Sequence, residues 1–164
     1  MDLLHTTIVL STLLCSLVAG FVFAFASVAM PGIKSLNDHD FLQAFKAIDR
    51  VIQNNQPIFM LVWIGSVVAL VISALLGIWR LDGVDRLLII FASAIYLFGV
   101  QLPTATINIP LNNQLQAQDL DTMTEPLLHE ARNNFEPRWI RWNSIRTVFA
   151  TLRSVFLIVL LLRL

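Results

Sequence analysis

Two stripes of polar side chains stand in parts of the sequence that are otherwise apolar, and they hold the groups that could do chemistry. The first stripe carries amides and hydroxyls at the helical spacings i, i+3, i+7 and i+11, at Gln101, Thr104, Asn108 and Asn112. The second carries an amide and two guanidinium groups at i, i+3 and i+10, at Asn143, Arg146 and Arg153. Because polar groups in hydrocarbon are costly and usually mark a path or a site, the stripes indicate an internal pocket between two helices.

The two arginines of the second stripe have no obvious partner in the sequence. No Asp or Glu lies inside any of the four long apolar stretches. The guanidinium groups must therefore use carbonyls, amides, Tyr96, a loop carboxylate, water or an anionic ligand. Two interpretations stay open: a purely structural hydrogen-bond network, or a pocket for a substrate or an anion.

Motifs for metal, haem or nucleophilic chemistry are weak or absent. The three histidines, His5, His39 and His129, share no HxxxH spacing, and a pairing of His39 with His129 across two loops is the remaining weak alternative for a metal. Cys15 is the single cysteine, so the chain alone cannot build a disulfide framework or a thiolate metal site. The sequence predicts neither a metal nor a cofactor.

The composition is that of a membrane protein. Hydrophobic residues make up 57% of the 164 residues and charged residues only 13%, which is far more apolar than an ordinary globular domain. The formal net charge of zero excludes nucleic acid as a partner. We expect one integral, multi-pass membrane domain over residues 1–164, surrounded by membrane lipid and, in a bacterium, placed in the inner membrane.

Four stretches are long enough to cross a membrane, at residues 3–30, 58–79, 87–109 and 144–164. Residues 41–52 and 125–139 instead predict two short amphipathic surface helices on one face. The short charged turn around Gly83 requires an antiparallel return. The predicted fold is an all-α membrane protein, an antiparallel four-helix transmembrane bundle with both termini on one side.

The antiparallel arrangement also predicts a register between the third and fourth spans. Equal rise on both helices places Asn108 level with Ser144 and Arg153 level with Gly99. Pro103 removes the backbone donor that the Gly99 carbonyl would use. We therefore expect Arg153 to contact the Gly99 carbonyl and Tyr96.

Small residues at four-residue steps form ridges on the first two spans. One ridge is Ser16, Gly20 and Ala24, and the other is Gly65, Ala69, Ser73 and Gly77. Such ridges let helices approach closely. They predict close packing within the chain or, as the alternative, a homo-oligomer.

Three pieces of the sequence carry a resemblance to a known family. They read GFVFAFASVAMPGIKSL from Gly20, NIPLNNQL from Asn108 and RWIRWNSIRT from Arg138, in this order between four apolar spans. The chain resembles a family of small integral-membrane proteins of unknown function that includes the fungal anthrone oxygenases. The resemblance covers nearly the whole chain, and the Asn-x-Pro-x-Asn and Trp-x-x-Trp-Asn-x-x-Arg patterns are its specific part.

The resemblance implies oxidation of an anthrone to an anthraquinone by dioxygen, without an evident metal or flavin. It implies anion stabilisation by Arg146, contacts from the amides of Asn108, Asn112 and Asn143, and stacking of Trp139 or Trp142 on a flat ring. The two tryptophans also suit the headgroup layer of the membrane. No general base is identified on the stripes, where His129 is the nearest histidine in sequence.

We therefore predict a pocket for a flat, small hydrophobic aromatic or quinone-like ligand that is weakly acidic, since an anionic oxygen would satisfy the arginine. The alternative is a non-catalytic membrane protein that binds a lipid, a quinone or a partner protein in the same groove. The predicted ligand-binding residues are Tyr96, Gln101, Asn108, Asn112, Trp139, Trp142, Asn143, Arg146 and Arg153.

Overall fold

Four helices that are long and apolar enough to cross a membrane form the body of the protein. The computed structural model describes residues 2–164, and over these residues it has no strand. The five long helices are α1 (Leu3–Ile33), α2 (Asp38–Gln53), α3 (Pro57–Arg80), α4 (Gly83–Gln116) and α5 (Glu125–Arg163). All but α2 are long and apolar enough to cross a membrane, and we call these four the membrane helices. The predicted all-α four-helix bundle is thus confirmed.

The four membrane helices pack side by side in a ring, in which α1 and α4 each contact both α3 and α5. Their antiparallel order is visible at one end of the bundle. There Arg80, at the end of α3, lies 3.5 Å from the Asp2 carboxylate at the start of α1. Arg163, at the end of α5, pairs with Asp85 at the start of α4. Both chain ends therefore lie on the same face, as predicted.

The interior of the bundle is apolar and its outer surface is apolar too. Buried residues from all four helices form one cluster, which includes Ile8, Leu70, Ile89 and Leu157. Large side chains such as Leu61 and Phe98 point outward and are more than half exposed. Lipid covers such side chains in a membrane, where there is no water to drive them inward.

The small-residue ridge of α3 packs inside the chain. Ala69, Ser73 and Gly77 are buried, and the Ser73 hydroxyl lies 3.4 Å from that of Ser11 on α1. Cys15 on α1 also approaches the Ser66 carbonyl at 3.5 Å. Ridges of small residues predict such a close approach of two helices, here α1 and α3. Formation of a homo-oligomer stays a prediction.

A second apolar core lies beyond one end of the bundle, in a region that we call the cap. The cap consists of α2, the end of α4 (Ile109–Gln116) and residues 125–139 of α5. The Asn37 side chain accepts a hydrogen bond from the Asp40 amide at 2.9 Å and thereby caps α2. Its core contains Phe41, Phe45, Leu115, Phe135 and Trp139.

The second predicted surface helix, at residues 125–139, is helical as predicted but continues without a break into the last span. Together they form α5, a helix of 39 residues. At 1.5 Å per residue it is about 58 Å long, whereas the hydrocarbon core of a membrane is about 30 Å thick. One end of α5 must therefore stand outside the hydrocarbon.

Two other predicted boundaries are wrong because the helices pass through prolines. The first span does not end at Pro31 but continues to Ile33, and the third continues from the predicted residue 109 to Gln116. A wide π turn of i to i+5 hydrogen bonds precedes the proline in both cases, at Phe25–Ala29 and at Thr104–Asn108, and a third, Leu97–Gln101, precedes Pro103. A wider turn accommodates the clash of the proline ring with the preceding turn.

Candidate functional site

A cavity of about 290 Å³ lies where the bundle meets the cap. Its volume is near the lower end of ligand pockets, which begin at about 300 Å³. The aromatic part of its wall consists of Phe21, Phe25, Phe45, Phe59, Trp63 and Trp139. Its main polar residues are Asp49, Gln53, Asn108, Asn112, Asn143 and Arg146. An apolar wall with a few polar groups is the usual composition of a small-molecule site.

Arg146 supplies the positive charge of the cavity wall. Its Nη1 donates to the Thr104 hydroxyl at 2.9 Å and its Nη2 donates to Asn143 Oδ1 at 2.8 Å. Asn143 is itself fixed, because its Nδ2 donates to the Val22 carbonyl at 3.0 Å. Arg146 Nε has no partner within residues 2–164. Arg146, 5% exposed, is therefore held in place by two of its five N–H donors and retains the Nε–H for another partner.

Asn108 is the least satisfied side chain of the cavity wall. It is 2% exposed, and neither its Oδ1 nor its Nδ2 has a hydrogen-bond partner in the described chain. A buried amide without partners costs free energy, in the range of about 1–3 kcal/mol. Asn108 therefore offers a donor and an acceptor to a ligand.

A chain of hydrogen bonds crosses from α5 through α4 to α2 on another part of the wall. The indole N–H of Trp139 donates to Asn112 Oδ1 at 2.8 Å. Asn112 Nδ2 then donates to Asp49 Oδ1 at 2.7 Å. Because an indole nitrogen is only a donor and a carboxylate only an acceptor, these contacts define the orientation of the Asn112 amide.

Asp49 is the main residue that the sequence analysis missed. The charged residues of an amphipathic surface helix, which residues 41–52 were predicted to form, are normally solvated, but Asp49 is 3% exposed and Lys46 is buried as well. Gln53 Nε2 and Gln116 Nε2 donate to Asp49 Oδ2 at 2.7 and 3.0 Å. Lys46 Nζ donates to the Gln118 carbonyl. These partners stabilise both charged groups inside the cap.

A signal for Asp49 was present in the sequence. Asp49 follows Leu42 and Phe45 by seven and four residues, which places it on the face of α2 that those buried residues define. Ile48 and Val51, in contrast, are exposed. The sequence also has amides that could partner a carboxylate, at Gln53 and Gln116.

The aromatic wall has flat surfaces. Phe59 and Trp63 stack with their ring centroids 5.4 Å apart and an interplanar angle of 23°. Phe25 and Phe45 both contact Trp139, with centroids 5.6 and 5.1 Å from it. The Arg146 guanidinium carbon lies 5.8 Å from the Trp139 ring centroid. The charged group is thus next to an aromatic surface.

The structure brings five of the nine predicted site residues to the cavity. They are Asn108, Asn112, Trp139, Asn143 and Arg146. The other four lie outside the cavity wall: Tyr96, Gln101, Trp142 and Arg153. Gln101 is near it, since its Oε1 accepts from the Trp63 indole at 3.1 Å. That any of the nine binds a ligand stays a prediction.

Arg153 belongs to the bundle interior. Its Nη2 donates to the Ser11 carbonyl on α1 at 3.1 Å, so the expected contact with the Gly99 carbonyl is wrong. The expected neighbour Tyr96 is present, but the arginine faces its ring, 4.8 Å from the centroid. The Tyr96 hydroxyl is hydrogen-bonded to the Ser66 hydroxyl at 2.6 Å. A register shift of about one helical turn explains the difference, because Phe149 occupies the position beside Gly99.

These features define a class of protein: a helical membrane protein with a cavity that combines aromatic surfaces, an arginine and unpartnered amide groups. Residues 52–156 match the model of the family described as Anthrone oxygenase, and the chain belongs to this family. The matched region includes Asn108, Asn143 and Arg146, whereas Asp49 lies just before it. The comparisons with curated proteins and with solved structures gave no match.

Proposed function

We propose that the protein binds a flat, weakly acidic aromatic molecule in the cavity and oxidises an anthrone-like member of this class with dioxygen. The observation that carries the proposal is the pair of Arg146 and Asn108. Both line the same mainly aromatic cavity, and both have buried polar atoms without a partner in residues 2–164. Family membership supports the choice of an anthrone.

The chemistry needs an anion to be stabilised away from water. Loss of a proton from the CH₂ group of an anthrone leaves an electron-rich enolate, which gives electrons to dioxygen. The net reaction converts CH₂ and O₂ into C=O and H₂O, so its balance requires no further reductant or oxidant. Arg146 would stabilise the enolate oxygen by a charge-assisted hydrogen bond in a site where water does not screen it.

The wall residues would have different tasks in binding. Trp139 would contact the flat face of the ligand, and Asn108 would bond to a ring substituent. Asn143 holds Arg146 and would act through it. We propose that this site works in a multi-pass protein of the cell membrane, which in a bacterium is the inner membrane.

Oxygen uptake by the purified protein with an anthrone tests the catalytic part of the proposal. We expect uptake well above the spontaneous rate, together with formation of the quinone. Binding without accelerated uptake would leave the protein a non-catalytic carrier of lipid, quinone or a partner, and would contradict the proposed reaction.

Arg146→Gln tests how the site recognises its ligand. The variant should weaken binding of an ionised phenolic ligand by roughly 10- to 100-fold, since charge-assisted hydrogen bonds contribute about 1.5–3 kcal/mol. It should change the binding of a neutral analogue little. Titrations above and below the pKa of the ligand measure both values, and Arg141→Gln, at an exposed position on the same helix, is the matched control. Equal losses for both forms would make Arg146 a structural residue.

A further inference from the structure

The proposed reaction needs a group that takes the CH₂ proton, and the geometry points to Asp49 on α2 as this catalytic base. We infer that Asp49 removes the proton while Arg146 on α5 holds the oxygen that becomes negative. The inference rests on the proposed function and adds a residue to it. In this role Asp49 contacts the substrate directly.

The first support is position. Asp49 lines the cavity together with Asn108 and Arg146, and no other Asp or Glu of residues 2–164 does so. His129, the histidine nearest to the stripes in sequence, lies in the cap surface and contacts Asp38 at 2.9 Å. Asp49 is therefore the acidic or basic group that can accept a proton inside this cavity.

The second support is the set of partners around the carboxylate. Three neutral amides donate to it, from Asn112, Gln53 and Gln116. Neutral donors stabilise a buried carboxylate without supplying a cation that would pair with it, and Asp49 forms no ion pair within the described chain. A carboxylate has about four acceptor positions. Oδ2 uses two and Oδ1 uses one, so Oδ1 keeps one position for a proton.

The third support is the separation of the two charges. Asp49 and Arg146 belong to different helices and form no salt bridge, although both line one cavity. In an anthrone the CH₂ carbon and the ketone oxygen lie at opposite edges of the central ring. A molecule of this shape that lies between the two residues would present its CH₂ group to Asp49 and its oxygen to Arg146.

The proton balance closes with Asp49 alone. The Asp49 carboxylate takes one proton from CH₂, and the enolate adds dioxygen at that carbon. The carboxylic acid returns its proton to the peroxide anion, which gives a hydroperoxide. Asp49 then takes the second proton from the carbon while the O–O bond breaks, and the departing hydroxide receives that proton as water. The products are the quinone and water, and Asp49 ends as a carboxylate.

Hydrogen–deuterium exchange of the CH₂ group without oxygen isolates the step that Asp49 performs. In D₂O under anaerobic conditions, the wild-type protein should exchange the CH₂ protons of an anthrone for deuterium faster than the spontaneous rate. Mass spectrometry measures this exchange. Asp49→Asn should lower the accelerated rate by about 100-fold or more, which is the usual size of a general-base contribution. Its affinity for the corresponding anthraquinone should change only a few-fold, because the quinone has no proton to lose. Asp40→Asn, at an exposed position of the same helix, should keep the full exchange rate.

The possible results separate this inference from the proposed function. Full exchange in Asp49→Asn, with oxygen uptake intact, would overturn the role of Asp49 and leave the reaction standing. No accelerated exchange and no oxygen uptake in the wild type would overturn both. If Asp49→Asn does not fold, Asp49→Ser is measured with and without formate. Recovery of exchange when formate is added would show that the variant lacks only the carboxylate of the base, which supports the role of Asp49. No recovery in a variant that still binds anthraquinone would contradict that role.

Discussion

The two buried arginines of α5 differ in what surrounds their guanidinium groups. Arg146 faces the cavity, whereas Arg153 is 0% exposed and packed between α1 and α4. Arg153 has one hydrogen bond, to the Ser11 carbonyl, and the face of Tyr96 as its neighbour. A charge buried in this way is stabilised by carbonyl dipoles and an aromatic ring rather than by an acid. Arg153 therefore joins three membrane helices.

Arg153→Leu should lower the stability of the bundle. The substitution removes the donor that the Ser11 carbonyl uses and the contact with Tyr96, at a cost of about 1–3 kcal/mol. The measurement is thermal unfolding in detergent. Arg80→Leu, at the exposed end of α3, is the control and should unfold close to the wild-type temperature. An unchanged stability of Arg153→Leu would show that the buried guanidinium contributes nothing net.

At the scale of the helices, three π turns mark the places where α1 and α4 pass a proline. Each turn ends two residues before the proline, at Pro31, Pro103 and Pro110. The turn over Thr104–Asn108 carries two residues that the site uses, Thr104 as an acceptor for Arg146 and Asn108 in the cavity wall. π turns frequently occur at functional sites, because they change which side chains face inward.

Helices α4 and α5 pack closely at Gly99. A Cβ atom on Gly99 would lie 2.5 Å from Cγ of Phe149 and 2.8 Å from its Cβ. Gly99→Ala should therefore force the helices apart and destabilise the protein by about 1–3 kcal/mol. Thermal unfolding measures the loss. Gly20→Ala is the matched control, since nothing lies within 4 Å of its Cβ position, and it should be neutral or slightly stabilising. Equal effects would contradict close packing at Gly99.

Ion pairs attach α2 to the rest of the cap and make this attachment depend on pH. Hydrogen bonds to Asp40 and Asp121 raise the pKa of His39 above its ordinary value of 6.5. The hydrogen bond from His129 lowers the pKa of Asp38 below 3.8. The stabilisation of the folded state by His39 is complete below about pH 6.5 and is lost as pH rises through its raised pKa. The stabilisation of the folded state by Asp38 is complete above about pH 4 and is lost as pH falls through its lowered pKa.

His39→Gln should therefore weaken the pH dependence of stability on the alkaline side. The wild-type unfolding temperature should fall between pH 6 and pH 8.5, whereas the variant should show a smaller fall. Thermal unfolding at several pH values measures this slope. His5→Gln, at the opposite face of the bundle, should keep the wild-type slope. A variant with an unchanged slope would mean that His39 does not titrate with folding.

Sequence patterns predicted the helices well and their ends less well. Long apolar stretches identify spans because hydrocarbon requires about 20 apolar residues, and Asn37 and Pro57 begin α2 and α3 as such residues commonly do. Pro31 was interpreted as a helix end and the third span was ended just before Pro110, whereas neighbouring helices stabilise the interrupted turns and both helices continue.

The candidate site was predicted on α4 and α5 but not on α2. Asn108, Asn112, Asn143 and Arg146 meet because two polar stripes run along adjacent antiparallel helices. Asp49 was missed because a charged residue on an amphipathic helix is normally solvated, and its burial depends on amides that are distant in sequence, at Asn112 and Gln116. The spacing from Leu42 and Phe45 indicates the face of α2 on which Asp49 lies, but no periodic pattern indicates that these distant amides would be its partners.

At the scale of the whole molecule, the two hydrophobic cores lie one above the other, in the bundle and in the cap. The cavity lies between them and contains residues from α1 to α5. Three of the helices, α1, α4 and α5, continue from one core into the other. The site is thus built on rigid elements rather than on loops.

The termini of the molecule should both be accessible from one side of the membrane, and the cap from the other. The pairs Asp2 with Arg80 and Asp85 with Arg163 lie at the same end of the bundle. Tags on either terminus should react with the same membrane-impermeant reagent from the same side. A cysteine introduced at the exposed Asp119, in the loop that joins the α4 and α5 parts of the cap, should react from the opposite side. Termini on opposite sides would contradict the antiparallel order.

Of the five helices around the cavity, α2 alone has no section that crosses the membrane. Residues 34–37 and 54–56 connect it to its neighbours, and side-chain contacts such as those of Asp49 with Asn112 and of Asp38 with Arg132 hold it against them. The one acid of the cavity wall therefore comes from the one helix that hydrocarbon does not surround. A change in the cap that leaves the other four helices intact should thus displace Asp49 before it displaces Asn108, Asn143 or Arg146.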